Sequence, residues 1–207
     1  MKDFFLVKYA PEILEHTLEH FFLVGIAIGI AILIGIPLGI LITRKTYLRQ
    51  PILGIANILQ TIPSLALFGL LIPIAGIGVL PAIAVLTLYS FLPIIRNTYT
   101  GITGVNPAIR EAGRGMGMTD RQLLLQVEIP LAMGVILAGV RVATVIAVGI
   151  ATIAAAIGAG GLGVFIFRGI SLVNSELILA GAVPAAVIAL VADFVIGWIE
   201  NQLKIKS

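Results

Sequence analysis

Long apolar runs separated by short charged stretches set the plan of this chain. Phe21 to Thr43 is 23 residues without a charge, long enough at about 1.5 Å per residue to cross a hydrocarbon layer about 30 Å thick. It predicts a first span over 21–43, and Arg44, Lys45 and Arg49 follow it directly. From Gln50 to Ile95 there is again no charge. Those 46 positions are too many for one span and enough for two, and the run divides near Gly76-Ile77-Gly78, where Pro81 suits the first turn of the next helix. The second span, 52–75, contains Gln60, Thr61, Pro63 and Ser64, and the proline predicts a kink or break. The third, 78–95, is near the lower length limit and ends at Arg96. A fourth, 131–157, is interrupted only by Arg141 and stops at the glycine-rich stretch Gly158 to Gly163. Val164 to Val173 is too short to span and reads as a re-entrant or interfacial piece. The fifth span, 177–199, carries Pro184 and Asp193.

Charge orients these spans. Nine of the thirteen Lys and Arg residues (Arg44, Lys45, Arg49, Arg96, Arg110, Arg114, Arg121, Lys204 and Lys206) fall on one side, against Lys2, Lys8 and Arg168 on the other, with Arg141 inside a span. Basic residues near span ends mark the cytoplasmic side, so the expectation is five spans with the N-terminus outside and the C-terminus inside. Residues 1–20 carry Asp3, Glu12, Glu15 and Glu19 against Lys2 and Lys8, unlike the basic start of a cleavable signal peptide, so the first apolar segment is expected to be retained.

Composition narrows the class. With 59% hydrophobic and 11% charged residues and a mean hydropathy of +1.15, an ordinary soluble core is excluded and an all-α integral membrane protein is implied. No repeat and no separate soluble domain is evident, so 1–207 reads as one transmembrane domain. The absence of cysteine removes disulfides, thiolate catalysis and cysteine metal sites. The formal charge of +3 does not point to nucleic acid, because the basic residues flank apolar runs instead of forming a solvated patch.

One polar stretch stands apart, Asn106 to Pro130, which holds Arg110, Glu111, Arg114, Asp120, Arg121 and Glu128 between two apolar runs. Asn106 before Pro107 is a helix start, since the asparagine caps free donors and proline suits the first position. A helix from Pro107 to about Arg114 is predicted, weakened by Gly113, Gly115 and Gly117. Thr119 to Gln122 has capping-box spacing, which predicts a second helix that stops before Pro130. So short a first helix is marginal alone and is expected to dock on something. Composition leaves two readings of Glu111 open, a docking contact and a solvated helix charge.

Here the residues resemble a family. Glu111-Ala112-Gly113, then Gly117, then Val127-Glu128-Ile129-Pro130 is similar to the EAA loop of permease subunits of binding-protein-dependent ABC importers, in which Glu-Ala-Ala, Gly and Ile-x-Leu-Pro occur at the same spacing. Gly113, Val127 and Ile129 depart from that pattern by small or volume-similar changes. The resemblance implies a type I ABC importer permease fold, with this loop as the cytoplasmic coupling helix seated in an ATPase groove. Glu111, Ala112, Gly113, Gly117 and Pro130 are then the ATPase-coupling residues. The run Gln60-Thr61-Ile62-Pro63-Ser64, the Gly158 to Gly163 segment and the chain length resemble the osmoprotectant branch, whose permeases import glycine betaine, carnitine or choline. Also implied are cytoplasmic ATP-binding subunits, a second permease (identical or homologous), an extracytoplasmic substrate-binding protein, surrounding lipid, and a bacterial or archaeal plasma membrane. The chain would bind no cofactor itself, with ATP and Mg on the partner ATPase. A methionine-type or other small-solute importer is the nearest alternative. An ion-coupled secondary transporter or channel would call for an inverted repeat and intramembrane ion ligands, neither of which is evident, and a structural subunit of a membrane enzyme is the third reading.

Other candidates follow from chemistry. Gln60, Thr61, Ser64, Tyr89 and Ser90 are polar positions in spans that either line a pathway or hydrogen-bond neighbouring helices. An aromatic face such as Tyr89 attracts a quaternary ammonium group. Arg141 and Asp193 are charges within spans, costly unless partnered. They are expected either to pair as a structural or gating link or to reach separate neighbours. His16 and His20 share a helical face without a third ligand, so no metal site is predicted. The glycines of Gly158 to Gly163 are not followed by the Lys-Ser/Thr of a phosphate loop, and a tight turn near the binding-protein docking surface is expected there.

Overall fold

A computed structural model describes residues 9–203, so Lys2, Lys8, Lys204 and Lys206 of the charge argument lie outside the described residues. Every regular element in that range is helical. In order they are α1 (Ala10–Arg44), α2 (Arg49–Thr61), α3 (Ser64–Ala75), α4 (Val79–Thr103), α5 (Pro107–Gly115), α6 (Asp120–Leu123), α7 (Ile129–Ala154), α8 (Gly163–Ser171) and α9 (Ser175–Leu203). Four helical stretches are long and apolar enough to cross a membrane, or five if the bent α2–α3 pair counts as one span.

The helices differ from the predicted spans at their ends, for reasons the local sequence supplies. α1 begins at Ala10, with Pro11 in its first turn, well before the apolar run. Its polar first half docks on α8 through the edge-on contact of His16 with Phe165. Helix α4 does not stop at Arg96 but runs on to Thr103, ending where Gly104 and the Asn106-Pro107 pair permit a turn. The second predicted span is broken where its proline predicts, and its two halves are bent by 101°. Proline disfavours helical geometry in the residue before it, and Ile62, at φ −69° and ψ 130°, is extended accordingly.

The second helix of the polar stretch does not stop before Pro130, as predicted. A π turn over Leu124–Glu128 joins α6 to α7 without a break, and the Ile129 N–H donates to the Leu124 carbonyl five residues back. The widened turn sets Pro130 at the start of α7, where its missing N–H and its ring are tolerated. Pro184, by contrast, leaves α9 unbroken.

Helix α4 is the centre of the bundle, packed between α1 and α7, and 61% of its most apolar window is buried against 22% for that of α9. Because lipid tails are as apolar as leucine, close backbone approach has to hold such helices together. A Cβ on Gly39 would stand 2.5 Å from Thr98 Cβ, and one on Gly139 would stand 2.5 Å from Asn97 Cβ and 2.8 Å from the Pro93 carbonyl. Glycine at these two positions therefore lets α1 and α7 sit directly on α4. The core between them is filled by Leu23, Ala27 and Ala31 of α1, Leu86 and Ile94 of α4, and Ala143, Ala147 and Ala151 of α7. Leu33, Leu190 and Phe194 point outward, each more than two-thirds exposed, as lipid-facing residues do.

Candidate functional site

The polar stretch builds its own geometry. Asn106 Oδ1 accepts the Ala108 N–H at 2.9 Å and Pro107 opens α5. The helix passes through Gly113 and Gly115 and stops at Gly117. There the Met118 N–H donates to the Gly113 carbonyl at 3.1 Å and the Gly117 N–H to the Arg114 carbonyl at 2.9 Å. This bond pair defines a Schellman end, which needs a left-handed residue, and Gly117 supplies it at φ +81°. Thr119 and Gln122 then form the complete capping box. The motif glycine is thus the residue that lets two capped helices fold back on each other.

Gly113 is buried in that turn. A Cβ there would lie 2.8 Å from Leu123 Cδ1 and 3.2 Å from Met118 Sδ, so the glycine draws α5 closer to α6 than the motif's alanine would. The rest of α5 is open: Ile109, Glu111 and Ala112 are exposed, with Met116 at its end. An acidic side chain among apolar ones, on a rigid capped helix, is a surface suited to a groove on another protein.

Beneath α5 lies a charge cluster around one buried carboxylate. Glu128, 1% exposed, accepts a hydrogen bond from Arg44 Nη2 at the end of α1 and has Arg110 Nε 3.2 Å from its Oε1. Arg110 Nη2 also donates to the Ile102 carbonyl in the last turn of α4. Two guanidiniums against one carboxylate offset the desolvation that burying it costs. Sequence reasoning reached Glu128 only as the unspecified letter of the motif. Its partner Arg44, 84 residues away, left no local signal except the setting of Glu128 between Val127 and Ile129.

The polar span residues divide into three groups. Gln60, Thr61 and Ser64 surround the break between α2 and α3, with Thr61 exposed and its hydroxyl bonded to the Ile58 carbonyl at 2.7 Å. The Tyr89 hydroxyl donates to the Ile62 carbonyl, which the break leaves without a helical partner. Ser90 is fully buried, and its hydroxyl donates to the Leu86 carbonyl of its own helix at 2.7 Å. The α2 side of the break is tied to α4 by Arg96 Nη2 donating to Asn57 Oδ1 at 3.4 Å, with the Arg49 guanidinium 4.8 Å from the Tyr99 ring centre. We expect Tyr89→Phe, which keeps the ring and orphans the Ile62 carbonyl, to cost about 1–3 kcal/mol. Thermal unfolding in detergent measures it, and an unchanged melting temperature would show that the hydroxyl does not hold the break.

Arg141 and Asp193 lie elsewhere, between α7 and α9. They form a two-pronged pair, Nε to Oδ1 at 2.5 Å and Nη2 to Oδ2 at 2.6 Å, with Glu200 Oε2 3.7 Å from Nη1. A Cβ on Gly197 would be 3.0 Å from Nη1, so the guanidinium lies along the backbone of α9. At the other end of the bundle, Glu19 accepts a 2.8 Å hydrogen bond from His16 and another of 2.8 Å from the Gly161 N–H, which pins the glycine turn to α1. His20, fully buried, packs against Gly161. Sequence reasoning missed both contacts of the turn.

Residues 31–205 match the family described as binding-protein-dependent transport system inner membrane component. The carnitine transport permease protein OpuCB of Listeria monocytogenes is 44% identical to this chain over 203 residues, covering 98% of this chain and 93% of the relative. The choline transport system permease protein OpuBB of Bacillus subtilis is 46% identical, with 96% and 92% covered. The osmoprotectant import permease protein OsmW of Salmonella typhimurium is 47% identical, with 97% and 94% covered. Among solved structures, the inward-facing methionine ABC transporter MetNI superposes with a TM-score of 0.83 at 23% identity over 92% of this chain and 95% of that one. An amino acid ABC transporter with histidines gives 0.78 at 21%, with 98% and 99% covered. At these identities the two structures speak for the fold alone.

Proposed function

The chain belongs to the family of binding-protein-dependent transport system inner membrane components, the permease subunits of ABC importers, and from that premise we propose that it passes a quaternary ammonium osmoprotectant such as glycine betaine, carnitine or choline. A permease of this family is a transport subunit whose ATP hydrolysis belongs to a separate subunit, and it works with a substrate-binding protein and a second permease. The observation that carries the substrate reading is the likeness to permeases so named along nearly the whole length of both chains, at 44 to 47% identity. The chemistry is compatible with it. The break between α2 and α3 is ringed by neutral polar side chains, and a quaternary ammonium group offers no N–H to satisfy and is drawn to aromatic faces.

In this reading the chain is one transmembrane permease domain, working as a dimer of identical or closely related copies. The end that carries Arg44, α5 and the end of α9 faces the cytoplasm. Glu111, Ala112, Gly113, Gly117 and Pro130 shape the ATPase contact, with ATP and Mg on the ATPase. Gln60, Thr61, Ser64 and Tyr89 border the pathway, and the Arg141–Asp193 pair braces α7 against α9. The test is reconstitution in liposomes of the permease with its ATPase and binding protein, followed by uptake of radiolabelled glycine betaine, carnitine, choline and methionine. ATP-dependent, saturable uptake of a quaternary ammonium solute is expected. Uptake of methionine alone, or equal uptake without ATP, would overturn the reading.

A further inference from the structure

We propose that Glu128 is the positioning residue that locks the coupling helix α5 to the ends of α1, α4 and α7, so that a push on α5 moves the three as one body. This rests on the reading of α5 as the ATPase contact.

Helix α5 is not held rigid by its own length. It is nine residues long, too short to be rigid in isolation, and it hangs between Gly104 and the left-handed Gly117. A helix on two such joints would swivel under load unless something ties it down. Packing of Gly113 on Leu123 and Met118 is one tie. The second is electrostatic and runs through Glu128: one oxygen takes Arg44 of α1, the other faces Arg110 of α5, and the backbone of Glu128 opens α7. Arg110 completes the set by donating to the Ile102 carbonyl of α4. Three elements therefore meet at one carboxylate, and Arg110 carries the link on to α4.

A buried ion pair is a poor device for stability alone, since an apolar cluster of the same volume often serves as well or better. Its distinctive property is directional, because it accepts one geometry and penalises others. The π turn matters for the same reason. Each residue turns a helix by about 100°, so the direction of the Glu128 side chain depends on the one-residue widening that ends there.

The chain has no cysteine of its own, so spin labels can be placed on it at chosen sites, at Met116→Cys just past the end of α5 and Thr103→Cys at the end of α4, both exposed. Label distances are measured in the complete importer, nucleotide-free and trapped with ATP and vanadate. With Glu128 present, one narrow distance common to both states is expected. With Glu128→Gln, a broadened distance that shifts between states is expected, and ATP-driven uptake of glycine betaine should fall by roughly 5- to 150-fold. Arg110→Gln, which breaks the same link from a side chain only partly buried, should do likewise and serves if Glu128→Gln does not assemble. The double variant should cost less than the sum of the two single ones, because both cut the Arg110–Glu128 link. Narrow, unshifted distances with undiminished uptake in both variants would overturn the lock. A Met116 label whose mobility is unaffected by adding the ATPase would instead overturn the docking reading beneath it.

Discussion

Gly117→Val is expected to cut ATP-driven uptake at least about tenfold and to weaken co-purification of the ATPase. Gly117 sits at φ +81°, where a β-branched residue pays of order 1–3 kcal/mol of backbone strain. The chain escapes that strain by abandoning the Schellman end, which frees the Gly113 and Arg114 carbonyls and unwinds the last turn of α5. Glu111 and Ala112 then no longer project from a rigid rod, and Gly113 loses its seat on Leu123. A loss of about 1.4 kcal/mol at an interface is a tenfold change in affinity, a figure that lies within that strain range and below its midpoint. Gly117→Asn, which accepts the left-handed conformation more readily, should retain most of the activity. If the valine variant binds the ATPase and takes up glycine betaine as well as the unaltered chain, α5 does not carry the coupling.

Asp193→Ala is expected to destabilise the chain, because it removes the two nearest bonds to the Arg141 guanidinium, a charge within a span. Arg141 would keep only Glu200, at 3.7 Å, in place of two bonds near 2.5 Å. For a chain of this size each kcal/mol is worth about 2–4 °C in Tm, so thermal unfolding in detergent reads the loss directly. Asp193→Asn should be milder, because an amide still accepts from the guanidinium. Reversing the pair, Arg141→Asp with Asp193→Arg, should recover part of the loss, and a reversal no better than the single variants would mean that each charge acts through other neighbours. An unchanged Tm for Asp193→Ala would remove the pair from the list of braces between α7 and α9.

These two predictions draw on different kinds of information. The place of Gly117 was legible in advance: an asparagine cap, a proline start, a capping box and a glycine between them are local rules acting within a few residues, and the structure folds that stretch by those rules. What the residues of the stretch do with a partner stays a proposal. Arg141 and Asp193 were legible as costly charges, since any charge in an apolar run is conspicuous. Their pairing depended on how α7 and α9 lie against each other, 52 residues apart in sequence. Ser90 went the other way. Its hydroxyl marks it as polar, but the face of α4 that it occupies is the buried one, and a continuously apolar helix carries no periodicity to say which face that will be.

By itself the sequence determined the class of the molecule, the number of apolar segments, the break at Pro63 and the capped hairpin of α5 and α6, because run length, proline geometry and capping act over one or two turns of chain. Only the tertiary structure decided that α4 lies at the centre, that α6 runs through Pro130 into α7, that Glu19 holds the glycine turn, and that Arg44, Arg110 and Glu128 meet under α5. Those outcomes depend on helices approaching closely at Gly39 and Gly139 and on a π turn that aims one carboxylate. Contacts of that kind join residues dozens of positions apart and are specified by packing geometry, which no local pattern encodes.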